Sequence, residues 1–354
     1  MKNKYVKLLT ATALSSVMST GIAMSQLKIS GYQETGFITG STKGMTETAK
    51  TLGTETGLRF DIAGKLNNGM DYAMILDTNN FSVQSRLLTI GSGNFEVYAG
   101  AEAIKGIELT RTINPYVNNR QSDITNGTGL SDALDGTSSE NFVGFDVKNI
   151  AGNGRLSVTY TPNTDQVGRV PAGTTVTNSV QTTDLAGTTA NYTKTDGATS
   201  AITVGYVMDI TPQIRIGVGV LKADAKDGTI NDDADSKTAG IRFAQGPFAV
   251  GYQYHKNENF TAKTTSQTNK VNTVSATYAV TKDLSVGVAH SKQDRTLEAA
   301  STPVTQPDLK QTAFQVGYSL GAVVLQGDYM KATQVNHVAG ADHSIVKAKA
   351  KVNF

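Results

Sequence analysis

Residues 343–354 read HSIVKAKAKVNF, and this segment decides the fold. Its apolar side chains fall at every second position, at Val346, Ala348, Ala350, Val352 and Phe354, and the positions between them carry Lys347, Lys349 and Lys351. Because successive side chains of a β-strand point to opposite faces, the segment predicts a strand with one apolar and one charged face. A soluble edge strand could carry this pattern, but a strand crossing a membrane around a wet interior fits it better.

The same alternation recurs upstream and predicts about sixteen strands. The predicted strands are 26–39, 54–66, 70–77, 83–91, 95–101, 141–148, 154–161, 199–208, 212–222, 236–245, 247–256, 270–280, 283–293, 309–319, 321–330 and 343–354. Short connections rich in Gly, Asn, Asp and Pro alternate with longer ones over 40–53, 78–82, 102–140, 162–198, 223–235, 257–269, 294–308 and 331–342. The sequence therefore predicts an all-β fold, a transmembrane antiparallel up-and-down β-barrel with short periplasmic turns and long extracellular loops.

The N-terminal segment predicts a signal peptide over residues 1–25, which leaves the barrel over 26–354. Lys2, Lys4 and Lys7 precede a short stretch of small and apolar residues, and either Gly21-Ile22-Ala23 or Ala23-Met24-Ser25 supplies small residues for cleavage. The stretch is too short and too rich in Ser and Thr for a membrane-spanning helix, which needs about 20 predominantly apolar residues. The chain has 32 basic and 30 acidic residues, and removal of the three lysines leaves 32 − 3 = 29 basic residues. The two signs are then nearly balanced, so the charge of the chain does not favour a nucleic-acid partner.

The composition agrees with a wet barrel interior. Hydrophobic residues make up 38% of the 354 residues, below the usual ~45–50%, because half of each strand is polar in such a barrel. The chain has no Cys, which suits export through an oxidising periplasm. Residues predicted to face the lumen are Arg155, Arg215, Arg242, Lys347, Lys349 and Lys351. An aromatic girdle near the tight turns is predicted from Tyr72, Phe95, Tyr206, Phe248, Tyr278, Tyr318 and Phe354.

Several short motifs resemble the Gram-negative general diffusion porins, including their alpha-proteobacterial branch. They are the leader, the first strand Leu27-Lys28-Ile29-Ser30-Gly31, the Gly-rich block from Leu87 to Gly100, and the terminal Val352-Asn353-Phe354. The resemblance implies an outer-membrane homotrimer of sixteen-stranded channels whose third loop, 102–140, folds inward and narrows the pore. It also implies contact with outer-membrane lipid and lipopolysaccharide, and recognition of Phe354 by the barrel-assembly machinery.

The third loop departs from the family pattern. Many members carry a Pro-Glu-Phe-Gly-type sequence there, whereas residues 102–140 contain only Asn114-Pro115-Tyr116. A constriction is instead predicted from opposed charges, which create a transverse field that favours polar solutes. The candidate loop acids are Glu102, Glu108, Asp123, Asp132, Asp135 and Glu140, and the candidate wall bases are Arg59 and Arg86. Solvated acids and locally paired arginines are an equal alternative for each residue, and loop 162–198 is an alternative plug.

Other chemistry has little support in the sequence. His255, His290, His337 and His343 are scattered and no HExxH or GxSxG motif is present, so no enzyme activity, cofactor or metal ligand is predicted. Five aspartates in loop 223–235 could hold Ca²⁺ or bridge to lipopolysaccharide, although a solvated loop is the default. We expect passive diffusion of small hydrophilic solutes and ions. The alternatives are a channel selective for anions or sugars, and a plugged barrel with a structural or adhesive role.

Overall fold

The computed structural model describes residues 24–42, 49–80, 82–101, 103–118, 120, 130, 142–161, 179–183, 189–193, 198–225, 234–258, 266–299 and 302–354. The signal-peptide prediction for 1–25 falls almost entirely outside these residues. Most of loop 162–198 also lies outside them, as do residues 226–233 of the aspartate-rich loop.

The described residues form nineteen strands, which are β1 (Met24–Thr42), β2 (Ala49–Lys65), β3 (Asp71–Asn79), β4 (Ser82–Ser92), β5 (Phe95–Ala101), β6 (Phe142–Ile150), β7 (Gly154–Thr161), β8 (Ser179–Thr183), β9 (Thr189–Thr193), β10 (Ala198–Asp209), β11 (Ile214–Ala225), β12 (Ala234–Gln245), β13 (Phe248–Glu258), β14 (Ser266–Ala279), β15 (Leu284–Ala299), β16 (Thr302–Thr305), β17 (Leu309–Leu320), β18 (Val323–Thr333) and β19 (His343–Asn353). Sixteen of them make the antiparallel wall, each paired with its neighbours along the chain. The other three are β8 and β9, which form a separate hairpin, and β16, which pairs only with the end of β15.

The wall closes on itself because β1 pairs antiparallel with both β2 and β19. The backbones of Gly31 and Phe354 complete the seam with two hydrogen bonds of 2.8 and 3.0 Å. A closed barrel satisfies its backbone donors and acceptors between strands and leaves no edge in lipid. The predicted fold class, a sixteen-stranded antiparallel up-and-down barrel, is confirmed.

Three predicted long connections differ in the structure. In segment 78–82, β3 continues to Asn79 and β4 begins at Ser82, so the connection is only two residues long, and loop 162–198 contains the β8–β9 hairpin. In segment 294–308, β15 continues to Ala299 and the chain folds back as β16. The segments that form strands here are rich in Thr and Val, which favour extended backbone even where the apolar alternation is absent.

The two faces of the wall differ sharply in chemistry. Large apolar side chains are exposed on the outer face, for example Val218, Val220 and Ile241. Exposed aromatic rings near the tight turns include Phe95, Phe248, Tyr278 and Tyr318. Among the described residues, no helix has the length and apolarity needed to cross a bilayer.

Candidate pore constriction

Residues 105–118, called the inner segment below, run along one face of the wall. The segment contains a 3-10 helix over Gly106–Thr112. At one end, Gly106 N–H donates to Ser157 Oγ on β7 at 2.8 Å, and at the other, Asn118 Nδ2 donates to Asp328 Oδ1 on β18 at 2.9 Å. Further contacts reach the strands between these two. A segment that touches the same face of so many strands of a closed barrel lies inside it, so this face is the lumen.

Glycines on the wall allow the inner segment to approach so closely. A Cβ atom at Gly205 would lie 2.0 Å from the carbonyl oxygen of Gly106, and one at Gly251 would lie 2.6 Å from that of Ile113. No side chain fits at either distance. Ile107 and Ile113 themselves are fully buried against the wall, so the segment is packed as well as hydrogen-bonded.

A buried ion cluster anchors the beginning of the inner segment. Lys105 Nζ and Arg155 Nη2 each lie 2.6 Å from Asp146 Oδ2 on β6. Lys105 is 7% exposed and Asp146 is 0% exposed. Burial lowers the pKa of Lys105, while the hydrogen bond to Asp146 raises it in part. Two cations therefore share one buried carboxylate, Lys105 buried with it and Arg155 partly exposed, and the cluster fixes where the segment leaves β5.

Of the acids predicted in the loop, only Glu108 lies among the described residues. It is buried on the 3-10 helix and forms an ion pair with Arg111, with Nη1 and Oε2 3.1 Å apart. Glu108 is thus paired locally rather than directed across the lumen. Glu102, Asp123, Asp132, Asp135 and Glu140 lie outside the described residues, and their part in a constriction stays a prediction.

Arg59 lies on the inner face, with an acidic partner on each side. Its Nε donates to both oxygens of Asp61 at 3.0 and 2.9 Å, and Nη1 donates to Asp77 Oδ2 at 3.2 Å. The side chain is 44% exposed. Two carboxylates outweigh one guanidinium here, so the patch predicted as basic is slightly acidic.

Arg86 lies on the outer face, opposite Leu76 of β3, which corrects the prediction that it faces the lumen. The inner position next to it belongs to Leu87, which is buried with Tyr98 and Phe142. β4 therefore carries apolar side chains on both faces, Leu87 inside and Leu88 outside, and the alternation that reveals strand orientation is lost.

The three lysines of β19 lie on the inner face, between outward-facing valine and alanine side chains. Lys349 Nζ lies 3.2 Å from Glu34 Oε1 on β1. Lys351 Nζ lies 3.7 Å from the centre of the Tyr32 ring, whose hydroxyl donates to Glu55. Lys347 pairs in register with Asp328.

The remaining predicted lumen residues are arginines on the opposite side of the barrel. Arg155 belongs to the anchor cluster, and Arg215 forms two hydrogen bonds to Asp209, of 2.7 and 2.9 Å. Arg242 lies beside Arg215. Lys105, Asp146 and Asp209 are not among the residues predicted from the sequence; the signal that could have identified Asp146 is that it is the single acid of β6.

Comparison with known proteins gives a consistent family and fold. A family model described as Gram-negative porin matches residues 10–303. No curated protein sequence matches the chain. The outer membrane channel DcaP of Acinetobacter baumannii is 14% identical with a TM-score of 0.63, covering 93% of this chain and 97% of its own. In-vitro folded OmpT of Vibrio cholerae is 10% identical with a TM-score of 0.62, covering 95% and 100%. A mutant of the Rh. blastica porin is 12% identical with a TM-score of 0.58, covering 93% and 100%.

Proposed function

The chain belongs to the Gram-negative porin family and forms a channel in the bacterial outer membrane, and on this premise we propose that the inner segment sets the narrowest part of its pore. Small hydrophilic solutes and ions diffuse through the lumen down their gradients. The observation that carries the proposal is the path of residues 105–118, which cover the inner wall from β7 to β18 and reduce the cross-section of the barrel.

We infer that the open passage runs along strands β19, β1, β2 and β3. Within the described residues, the inner segment makes no contact with this part of the wall. Its inner face carries charges of both signs in alternating patches. Lys349 meets Glu34 across the β1–β19 seam, and Arg59 meets Asp61 and Asp77. Such a surface holds water strongly and makes entry costly for an apolar solute.

Ion preference tests this assignment at Arg59. The variant Arg59→Glu places three acidic side chains together on the passage wall and is expected to shift the reversal potential in a salt gradient toward cation preference. The matched control is Lys65→Glu, the same charge change on the same strand at an exposed turn, where Lys65 pairs with Asp71. Equal shifts in both variants would mean that Arg59 does not line the narrow region.

The third loop is tested by shortening it. Deleting about twenty residues centred on Asp123 should raise single-channel conductance and widen the exclusion limit, since loops of this length are commonly functional. If trimming 162–198 raises conductance while trimming 102–140 does not, the constriction belongs to the other loop. A plugged structural or adhesive barrel would show no steady open current in any variant.

A homotrimer is proposed from the outer face as well as from the family. Arg86 lies six residues from Ser92 at the turn end of β4. At ~3.3 Å per residue and a tilt of ~45°, its depth is about 14 Å, near the middle of the ~25 Å apolar band. Arginine facing lipid there costs about 2–4 kcal/mol, which favours protein rather than lipid against β4. A protein of similar structure, OmpT of Vibrio cholerae, has a solved structure of its trimer form.

Light scattering of the detergent-solubilised protein tests this interface. Arg86→Glu should raise the monomer fraction, whereas Lys237→Glu, the same change on the outer face of β12, should leave the trimer intact. A trimer that is unaffected by Arg86→Glu would place the interface elsewhere.

We further propose that residues 1–25 are removed on export and that the barrel is surrounded by outer-membrane lipid and lipopolysaccharide. The barrel-assembly machinery would recognise Phe354, which is exposed beside the β1–β19 seam. Intact-mass measurement of the protein from isolated outer membranes tests the cleavage, because retention of Lys2, Lys4 and Lys7 would contradict it.

A further inference from the structure

Two arginines stand directly opposite each other on the inner wall. Arg215 of β11 and Arg242 of β12 are cross-strand partners in register, and both side chains point into the lumen. Directly opposed residues have Cβ atoms about 4.5–5.5 Å apart, and like charges at that spacing destabilise a sheet. The two arginines lie near the tight-turn end of the barrel. At other tight turns the neighbouring charged side chains have opposite signs, as Lys65 and Asp71 do.

Only one of these two arginines has a carboxylate partner among the described residues. Asp209, the cross-strand neighbour on the other side of Arg215, accepts from its Nε at 2.7 Å and from its Nη2 at 2.9 Å. That carboxylate is thereby occupied by Arg215. The Nε of Arg242 is buried and has no hydrogen-bond partner within the described ranges. The pair therefore carries a surplus positive charge and an unused donor.

A cavity of about 530 Å³ opens onto both guanidinium groups beneath the inner segment. The inner segment contributes polar groups to it, including Thr112, Asn114 and Asn118, and Arg120 adds a third guanidinium. None of the described residues that line it is acidic. A second cavity of about 340 Å³, on the side of Pro212 and Gln213, shares Arg215 and Arg242. A solute that travels along this wall therefore meets the arginine pair from either side.

We propose that Arg120, Arg215 and Arg242 form a binding subsite for an oxyanion, the carboxylate or phosphate group of a small hydrophilic solute. A guanidinium presents parallel N–H donors that match two oxygens of such a group, and the hydroxyl and amide groups of the cavity supply further hydrogen bonds. The subsite rests on the proposed channel function, since solutes reach it through the lumen. It makes the channel retain anions briefly while cations pass.

Single-channel recording with inorganic phosphate or malonate added to potassium chloride tests the subsite. In the unmodified protein, each probe should reduce the chloride current in a saturable manner. The half-saturating concentration should rise at least tenfold in Arg242→Gln, and less in Arg242→Lys, which keeps the charge but loses the planar fork. The control Lys282→Gln removes one positive charge at an exposed turn and should behave as the unmodified protein does.

The two probes separate the ligand classes, because a phosphate site and a carboxylate site differ in which anion saturates at lower concentration. Saturation that is identical in Arg242→Gln and in the unmodified protein would overturn the proposal. An open channel whose current neither probe reduces would also overturn it, while leaving the channel function intact. Absence of any current in potassium chloride would instead contradict the proposed function itself.

Discussion

Removing the charge of Asp146 should release the beginning of the inner segment from the wall. In Asp146→Asn, Lys105 and Arg155 lose the carboxylate oxygen that both contact at 2.6 Å, and Lys105 is left as a buried cation without its counter-charge. Breaking a buried ion pair by removing one partner costs about 3–5 kcal/mol. Since each ~1.4 kcal/mol is a tenfold change, the population with a detached segment should rise at least about 100-fold.

Hydrogen exchange of the Gly106–Thr112 amides measures this detachment directly. Those amides should exchange faster in Asp146→Asn, and trypsin should cleave after Arg111 at a higher rate. The matched control is Asp71→Asn, because Asp71 pairs with Lys65 at a site where both side chains are about two-thirds exposed, and exposed pairs contribute only about 0–1 kcal/mol.

The double variant Asp146→Asn, Lys105→Met should be less destabilised than the sum of its two single changes. Adding Lys105→Met to Asp146→Asn removes the cation that the first change left unpaired, so the two effects should be less than additive. Unchanged exchange in Asp146→Asn, with a folded barrel, would show that the glycine-lined wall holds the segment without the ion cluster.

Three further outcomes follow from other parts of the barrel. Gly205→Ala should displace the inner segment and alter single-channel conductance, whereas Gly53→Ala, where an added Cβ meets no atom within 4 Å, should leave the conductance unchanged. Deletion of Phe354 should reduce the yield of inserted barrel on heat-modifiability gels far more than Val352→Ala does, and equal yields would contradict a role in closure. Burial lowers the pKa of His337, so its folded environment binds a proton less readily than the unfolded chain. The loop around it should be most stable above about pH 6.5, and the protection factors of its amides, which are exchange rates corrected for the intrinsic pH dependence, should fall as the pH drops below that value.

The strands could be predicted because lipid and water act on opposite faces of the same wall. The alternation in segment 343–354 predicts a strand, and the structure has it over His343–Asn353. From Val346 to Val352 the outward residues are valine and alanine and the inward residues are lysines, so this part of the sequence alternates fully. The same logic predicted the number of strands, the closed barrel and the channel in the outer membrane.

The alternation fails where protein covers the inner face. Leu87 packs inside under Tyr98, so β4 has apolar residues on both faces and the orientation of Arg86 could not be read. The path of the inner segment could not be predicted either. Its contacts join Gly106 to Ser157 and Asn118 to Asp328, residues far apart in the sequence, and local sequence patterns carry no information on such pairs. In the sequence, a glycine that leaves room for the backbone of the inner segment cannot be distinguished from a glycine that merely weakens a strand.

The seam between β1 and β19 has a consequence for how the barrel matures. The hydroxyls of Ser41 and Ser344 lie 2.9 Å apart although 303 residues separate them, whereas every other pair of wall strands is joined by a connection within the chain. Hairpins form quickly and long-range pairings slowly, so this seam is expected to be the last step of folding. Until then, the two outermost strands carry unsatisfied backbone groups that lipid cannot hydrate. Variants at the seam should therefore lengthen the lifetime of an open intermediate exposed to periplasmic proteases, while each barrel that does seal conducts normally.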